Sequence, residues 1–308
     1  MAITAAVAAV PATAILANPP GSSAATKAPS WPAHYAAPYL QVTPGDWADV
    51  NADMAKTGLK FYTLAFLTPQ SGCTPMWEDG NQPMNTFVSD IHSLQAAGGN
   101  VEVSFGGASG GELAVTCTNV SNLEAAYASV VNTLGVTRLD FDIEGNVMNN
   151  TTANVRRDQA LAMLQKADPS VSVDFTIGIS PSSGMPGNEV TFLKQAISAG
   201  VKINLIDVMV MDFGNGQPVL RDAESGAEHT AAQLEGIFGT SSPDYAQMGM
   251  TPIAGKNDDQ EFFSETDGKL LEGFAASHGV QELAFWEVDQ YDKPKGYAYS
   301  AIFNKITG

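Results

Sequence analysis

Basic residues are scarce in this chain: 15 Lys and Arg stand against 33 Asp and Glu in 308 residues, a formal charge of −18. No Lys/Arg cluster appears anywhere along it. That argues against nucleic acid or an anionic membrane as partner, since each needs a basic footprint. A neutral ligand such as a carbohydrate fits the balance better, although acidity alone also serves solubility. Histidine is almost missing. The four present, His34, His92, His229 and His278, are scattered, and no Cys/His cluster has metal-ligand spacing, so no metal and no cofactor is expected. Long hydrophobic runs are missing as well. Residues 3–17 are rich in Ala, Val and Ile, but Pro11 interrupts them and they are too short to span a bilayer. With the small, polar, Pro-containing segment that follows, they resemble the apolar region and cleavage zone of a secretory signal, though no Lys or Arg precedes them. Export is therefore expected, and residues 1–30 are set apart from a single folded domain over 31–308.

Only two cysteines occur, Cys73 and Cys117, both in loop-like contexts. In an exported protein an even pair suggests a disulfide; two free buried thiols are the alternative.

Hydrophobic content of 44% is enough for a large core. Strand-like apolar runs fall at 38–42, 60–67, 100–105, 138–144, 172–180, 205–212, 250–255 and 282–288. Runs such as 61–67, apolar almost throughout, read as parallel strands buried on both faces. Between them, residues 46–56, 84–97, 121–134, 154–167, 189–199, 227–238, 264–278 and 297–306 carry apolar residues at helical spacing. Five of these stretches run into Gly98, Gly135, Gly200, Gly239 or Gly279, as a left-handed helix cap requires. Eight βα units point to an α/β fold, a (β/α)8 TIM barrel in one domain. An open doubly wound sheet is the alternative, weakened because no glycine-rich phosphate loop follows the first strand.

The chemistry concentrates in Leu139-Asp140-Phe141-Asp142-Ile143-Glu144. Side chains alternate faces along a strand, so the three carboxylates point one way, ~6.5 Å apart, while Leu139, Phe141 and Ile143 bury the other face. Three like charges on one strand face are costly unless they share protons or bind a ligand. A solvated charge run would not be interleaved with large apolar residues. In a barrel the site lies at the C-terminal ends of the strands. There Glu144 ends the fourth predicted strand, Asp212 the sixth and Trp286 the eighth, and Ser104-Phe105-Gly106-Gly107 closes the third.

This acidic segment resembles the catalytic strand of glycoside hydrolase family 18, the chitinases and related endo-N-acetylglucosaminidases, with pattern D-x-x-D-x-D-x-E. Ser104-Phe105-Gly106-Gly107 matches the family's S-x-G-G motif, Met209-Val210-Met211-Asp212-Phe213 nearly matches M-x-M-D-Y, and Trp286 matches the last-strand tryptophan. The four stand in family order, and the resemblance spans from about Ala37 to the C-terminus. The resemblance implies retaining hydrolysis of β-1,4 bonds after N-acetylglucosamine, by substrate assistance. Glu144 would protonate the glycosidic oxygen and later activate water. Asp142 would orient the substrate acetamide and stabilise the positive charge formed as its oxygen attacks the anomeric carbon. The enzyme then needs no carboxylate nucleophile. Asp140 would share a proton with Asp142 and help keep Glu144 protonated. Asp212, Met209, Met211, Phe213, Ser104, Gly106 and Gly107 are candidate substrate-binding positions, with the Trp286 indole as floor under a sugar ring. Chitin or N-acetylglucosamine oligosaccharides would be the ligands of a secreted, monomeric protein.

Two departures from the family pattern stand out. Thr137 and Arg138 replace its first Asp and the following Gly, at the start of the strand and far from the bond broken. Neither Met211 nor Phe213 supplies the tyrosine hydroxyl the family has on strand six. Bland readings stand beside the rest: Ser104-Phe105-Gly106-Gly107 as a tight turn, Trp286 as core, Met209 and Met211 as filler. Trp77 is a candidate stacking platform, and Asn257 and Asp258 are candidates for the cleft wall. Nothing after the barrel resembles a separate chitin-binding module. An endo-N-acetylglucosaminidase cutting N-linked glycans and a lectin-like binder are the competing functions.

Overall fold

A computed structural model of the chain describes Met1 and residues 28–78, 81–109 and 111–307. The signal-like segment falls almost wholly outside the described residues.

Among the described residues, eleven strands form one sheet: β1 (Tyr35–Ala36), β2 (Tyr39–Gln41), β3 (Phe61–Ser71), β4 (Thr74–Trp77), β5 (Gln82–Pro83), β6 (Asn100–Gly106), β7 (Arg138–Asp142), β8 (Ser172–Gly178), β9 (Ile203–Met209), β10 (Met248–Thr251) and β11 (Glu282–Leu283). Parallel pairing runs β3-β6-β7-β8-β9-β10-β11 without a break in order. The N-terminal stave closes the ring. Its β1 pairs parallel with β11 and its β2 parallel with β3, while Tyr39 donates to the Phe285 carbonyl. With β1 and β2 counted as one stave, eight parallel staves make a closed (β/α)8 barrel. Closure leaves the eight staves themselves without a free edge.

The helices form where an apolar stripe and a cap coincide. Helix Val120–Leu134 buries Leu123, Ala126, Tyr127, Val130, Val131 and Leu134, the i, i+3, i+4, i+7 pattern of one face. Asn119 caps its start by accepting from the Asn122 amide, and left-handed Gly135 ends it. Gly239 and Gly279 end Val219–Phe238 and Glu265–His278 in the same way. Between helices and staves lies an aromatic stack: Phe141 packs on Phe105 at 5.1 Å and on Phe175 at 5.8 Å between ring centroids. A buried ion pair ties the outer layer, with Arg157 3.0 Å from Glu112, whose other oxygen accepts from the Tyr127 hydroxyl.

Three differences from the sequence reading bear on the site. Stave six ends at Met209 and stave eight at Leu283, so Asp212 and Trp286 stand in the loops beyond rather than on strand ends. Beyond stave eight the pairing with stave seven goes on irregularly, Trp286 donating to the Pro252 carbonyl and accepting from the Ala254 amide around the Ile253–Trp286 bridge. The helix expected from residue 227 starts at Val219, eight residues earlier. After β3 the chain folds back as the antiparallel pair β4 and β5, a hairpin that apolar periodicity did not reveal. This hairpin corrects the reading of Trp77. Its indole is wholly buried, packs edge-on against Phe87 and donates to the Met84 carbonyl, so it is core and no stacking platform. The hairpin also brings Cys73 to Cys117, their Cα atoms 4.5 Å apart and their sulfurs at bonding contact.

Candidate active site

A cleft of about 470 Å³ opens at the C-terminal mouth of the barrel, lined by residues that include Asp142, Glu144, Met209, Met211, Asp212, Asp258 and Trp286. Strand β7 delivers the first two. Leu139, Phe141 and Ile143 are sealed in the core behind it, which turns Asp140 and Asp142 into the barrel. Glu144 lies just past the strand, half-buried at the lip, in the N-cap position of the short helix Gly145–Met148 but with no side-chain hydrogen bond to it.

Asp140 is the deepest of the three. Ser104 donates to it at 2.5 Å from β6 and Thr176 at 2.9 Å from β8, and the Tyr39 hydroxyl lies at 3.4 Å. Register places them: Asp140 faces Ser104 on one neighbour, and Asp142 faces Thr176 on the other. Burial pushes the Asp140 carboxyl up to about 8 even against these hydroxyl donors. Asp142 is 5% exposed, and its Oδ1 has no hydrogen-bond partner. Burial, then the neighbouring Glu144, Asp140 and Asp207, hold its pKa well above the usual carboxylate range. Glu144 is raised by burial and then by Asp212. All three carboxyls of this segment are thus shifted upward, Asp140 to about 8, which is the direction a proton-donating group requires.

Asp212 has a left-handed backbone, φ 49°, and its Oδ1 accepts from the Asp258 amide at 2.7 Å and the Asp259 amide at 3.3 Å. It therefore pins the loop bearing Asp258 while lining the cleft. Trp286 is half-buried and stacks on Phe66 at 5.6 Å, 14° from parallel, so the floor is a two-ring slab.

Several expected contacts take another role. Ser104 is fully buried and serves Asp140, away from the open cleft. Gly106 and Gly107 are also buried. A Cβ at Gly106 would overlap the Asp142 carbonyl and one at Gly107 would lie 2.7 Å from the Phe66 ring, so the glycines let β6 crowd β7 and the slab. Phe213 packs against the main core outside the cleft lining, and Asn257 is buried while Asp258 lines the wall. Neither Met211 nor Phe213 brings a hydroxyl, and that of Tyr39 is committed to Thr176 at 2.8 Å beneath Asp140. Tyr39, Phe66, Thr176 and Thr251 are site residues that the sequence reading missed. Each is an unremarkable strand residue until closure of the barrel brings it to the same mouth. Arg138, expected at a tolerant strand start, is instead the buried cation of the lower barrel, 3.4 Å from Asp174 and stacked 4.2 Å over Trp31. Among the described residues, no group of three His, Cys, Asp or Glu side chains is arranged to hold a metal ion.

A closed parallel barrel with carboxyls at its C-terminal mouth over an aromatic floor defines a glycoside-hydrolase class of site. Comparison with known proteins narrows it. No family model matches the chain. It is 31% identical over 298 residues to a probable bifunctional chitinase/lysozyme of Escherichia coli and 30% identical over 276 residues to endochitinase 11 of Metarhizium anisopliae. These alignments take in 90% and 84% of this chain but 33% and 53% of those relatives, so it spans only part of their length. Among solved structures, the catalytic domain of a hyperthermophilic chitinase from Pyrococcus furiosus is 30% identical, with 91% of this chain and 97% of that one covered and a TM-score of 0.82. The chain belongs to glycoside hydrolase family 18. A chitinase A from Streptomyces coelicolor, 14% identical with a TM-score of 0.65, shares the fold.

Proposed function

We propose that this chain is a chitinase-like retaining glycoside hydrolase that cleaves β-1,4 N-acetylglucosamine linkages by substrate assistance. One observation carries the reading: at the cleft floor Asp142 offers a buried oxygen with no partner, two residues before the half-open acid Glu144. A buried acceptor left unmade is costly, and the acetamide N–H of a bound N-acetylglucosamine supplies what it lacks. With its acetamide held there, the substrate's own carbonyl oxygen attacks the anomeric carbon. Glu144 gives its proton to the departing glycosidic oxygen, then withdraws one from the water that opens the cyclic intermediate, so configuration is retained. Asp140, neutral and fixed by Ser104 and Thr176, keeps a second anion from forming beside Asp142. The Trp286–Phe66 slab takes the apolar face of the sugar.

The chain is read as a secreted monomer with Cys73 and Cys117 oxidised, supported by the pairing of the two cysteines and the signal-like start. Recovery of unpaired thiols from secreted protein would remove that support. The activity is tested with chitin tetramer to hexamer, wild type beside Glu144→Gln, following products and their anomeric form. Early β-anomers from wild type alone are expected. Hydrolysis that survives Glu144→Gln overturns the mechanism. Binding without cleavage by both proteins turns the assignment to a lectin, and release of N-glycans from a glycoprotein without chitin cleavage turns it to an endo-N-acetylglucosaminidase.

A further inference from the structure

Beside the mouth the chain makes a second construction that the mechanism does not use. After stave seven, residues 255–263 fold back as a tight loop: Phe263 donates to the Gly255 carbonyl at 2.7 Å, Asn257 to the Glu261 carbonyl at 2.9 Å, and Lys256 and Phe262 form an antiparallel bridge. Side-chain carboxylates and backbone amides sew its tip to the loop after stave six. Asp212 accepts from the Asp258 and Asp259 amides, Asp259 from the Gly214 amide at 2.6 Å, and Glu261 from the amides of Asn215 at 3.2 Å and Gly216 at 3.1 Å. Charge-assisted bonds of this kind are the strong ones, so the two loops act as one wall. Within that seam, Asp212 and Asp258 line the catalytic cleft. Gly214 and Asp259, close by in sequence, line a separate groove of about 490 Å³ to which Phe262 also belongs. The Phe262 ring is 57% exposed, and it is the only exposed aromatic side chain among the described residues. An exposed ring by itself means little. This one shares its groove with the side-chain amides of Gln217 and Gln260 and with bare backbone at Gly216, where an added Cβ would meet nothing. An aromatic face among amides and open backbone suits a sugar, with stacking for its apolar C–H face and hydrogen bonds for its hydroxyls and acetamide. It does not suit a protein partner. Phe262 and Pro218 are the only exposed apolar side chains of the groove, far short of the ~800 Å² that a standard protein interface buries on each side. Phe262 follows the cleft residue Asp258 by four positions, so the backbone between them spans at most roughly 14 Å, the length of a few sugar units.

We propose that this groove is a further binding subsite, in which Phe262 stacks on an outlying unit of the same N-acetylglucosamine chain that lies across the reacting carboxyls, so that the protein favours long chains over short ones. The subsite rests on the chitinase-like reading above. The saccharide leaves the cleft past Asp212 and Asp258 and meets Phe262 beyond the seam. Because amide bonds hold the seam, the ring is presented in place and binding it costs little ordering. Phe262 takes no part in bond breaking, so it contributes equally in ground and transition states.

The test compares chitobiose, too short to reach from the carboxyls to the groove, with chitohexaose, which is long enough. Binding is measured on the Glu144→Gln protein, so that no turnover intervenes, alone and with Phe262→Ala, Phe262→Trp or Leu270→Ala added. Leu270 is exposed to a similar degree, 54%, on the helix Glu265–His278 outside the groove. Phe262→Ala should raise Kd for chitohexaose about three- to tenfold and leave that for chitobiose in place. Phe262→Trp should hold or tighten the hexamer, and Leu270→Ala should change neither. With Glu144 intact, Phe262→Ala should raise KM for the hexamer by the same factor at constant kcat. An unchanged hexamer Kd in Phe262→Ala overturns the proposal, as does an equal loss for both lengths or an equal loss from Leu270→Ala. If the protein neither binds nor cleaves either oligomer, the functional reading itself fails and the subsite falls with it. If both bind and only the Phe262 effect is missing, the subsite alone is wrong.

Discussion

The lower and upper halves of the barrel are both rich in carboxyls, yet they handle them differently. Below, Glu102, Asp174 and Glu282 are sealed in with one guanidinium, and hydroxyl or amide donors hold each in place. Above, Glu144 and Asp212 stand at a mouth open to solvent and ligand, lining the cleft with Asp258. Asp140, Asp142 and Asp207 form the boundary between the two. The difference teaches that protonation state here follows depth more than residue type. Enclosed acids keep their protons because burial disfavours the anion, while acids at the mouth feel burial less and exchange protons with what enters.

The sharpest way to break this comparison is to remove the acid at the mouth. Glu144→Gln keeps the shape and takes away the proton, so kcat should fall by ~10²–10⁴-fold while oligosaccharide affinity holds. A small fall would mean that another mouth carboxyl can serve as acid, and position rather than enclosure would cease to define the role.

Enclosure has a stability cost when charge is left unpaired. Glu112→Gln strands the Arg157 guanidinium, which is fully buried and bonded also to Asn154. It should destabilise the fold by about 3–5 kcal/mol in denaturant unfolding. Because this pair sits in the helical layer outside the barrel, the pH profile of activity should not move.

The enclosed acids also predict how stability depends on pH. Burial raises Asp140, Asp174 and Asp207 to about 8 in the folded protein. Below the ordinary carboxylate range, near pH 4, folded and unfolded chains both hold these protons. Between there and about pH 8 the unfolded chain releases protons that the folded one retains, so stability falls as pH rises and levels off above that point. The melting temperature should therefore be several degrees higher at pH 5 than at pH 8. A melting temperature that climbs over this window would show that the enclosed carboxyls are ionised and the two halves alike.

How much of this was legible beforehand depended on whether the signal was local. Asp140, Asp142 and Glu144 stood out because a strand's two-residue period is written in consecutive letters. The eight βα units were legible because apolar runs and glycine caps repeat. Tyr39, Thr176 and Phe66 were not, because their meaning arises only when barrel closure sets them against Asp140 or Trp286. Trp77 was misread for a related reason: beside a cysteine and a proline it looks like an exposed loop, and only the return of the hairpin onto Phe87 buries it. Ser104, Gly106 and Gly107 were found by motif but misassigned in role, since sequence cannot tell a group that touches the ligand from one that holds the group that does.

That distinction sets the smallest and most discriminating prediction. Phe66 is mostly buried yet stacks on Trp286, whose other surroundings in its small cluster are Tyr39, Ala65 and Ala284. An aromatic pair of this kind is worth ~0.5–1.5 kcal/mol beyond its buried area. In Phe66→Leu the slab keeps its apolar volume but Trp286 loses the ring that fixes its plane. KM for chitotetraose should rise about three- to tenfold with kcat nearly unchanged, because the slab positions sugar in ground and transition states alike. Trp286→Ala should raise KM further. If Phe66→Leu instead lowers kcat at constant KM, the slab orients the reacting sugar as well as binding it. The open half of the barrel would then need enclosed support for its aromatic floor as much as Asp142 needs Asp140.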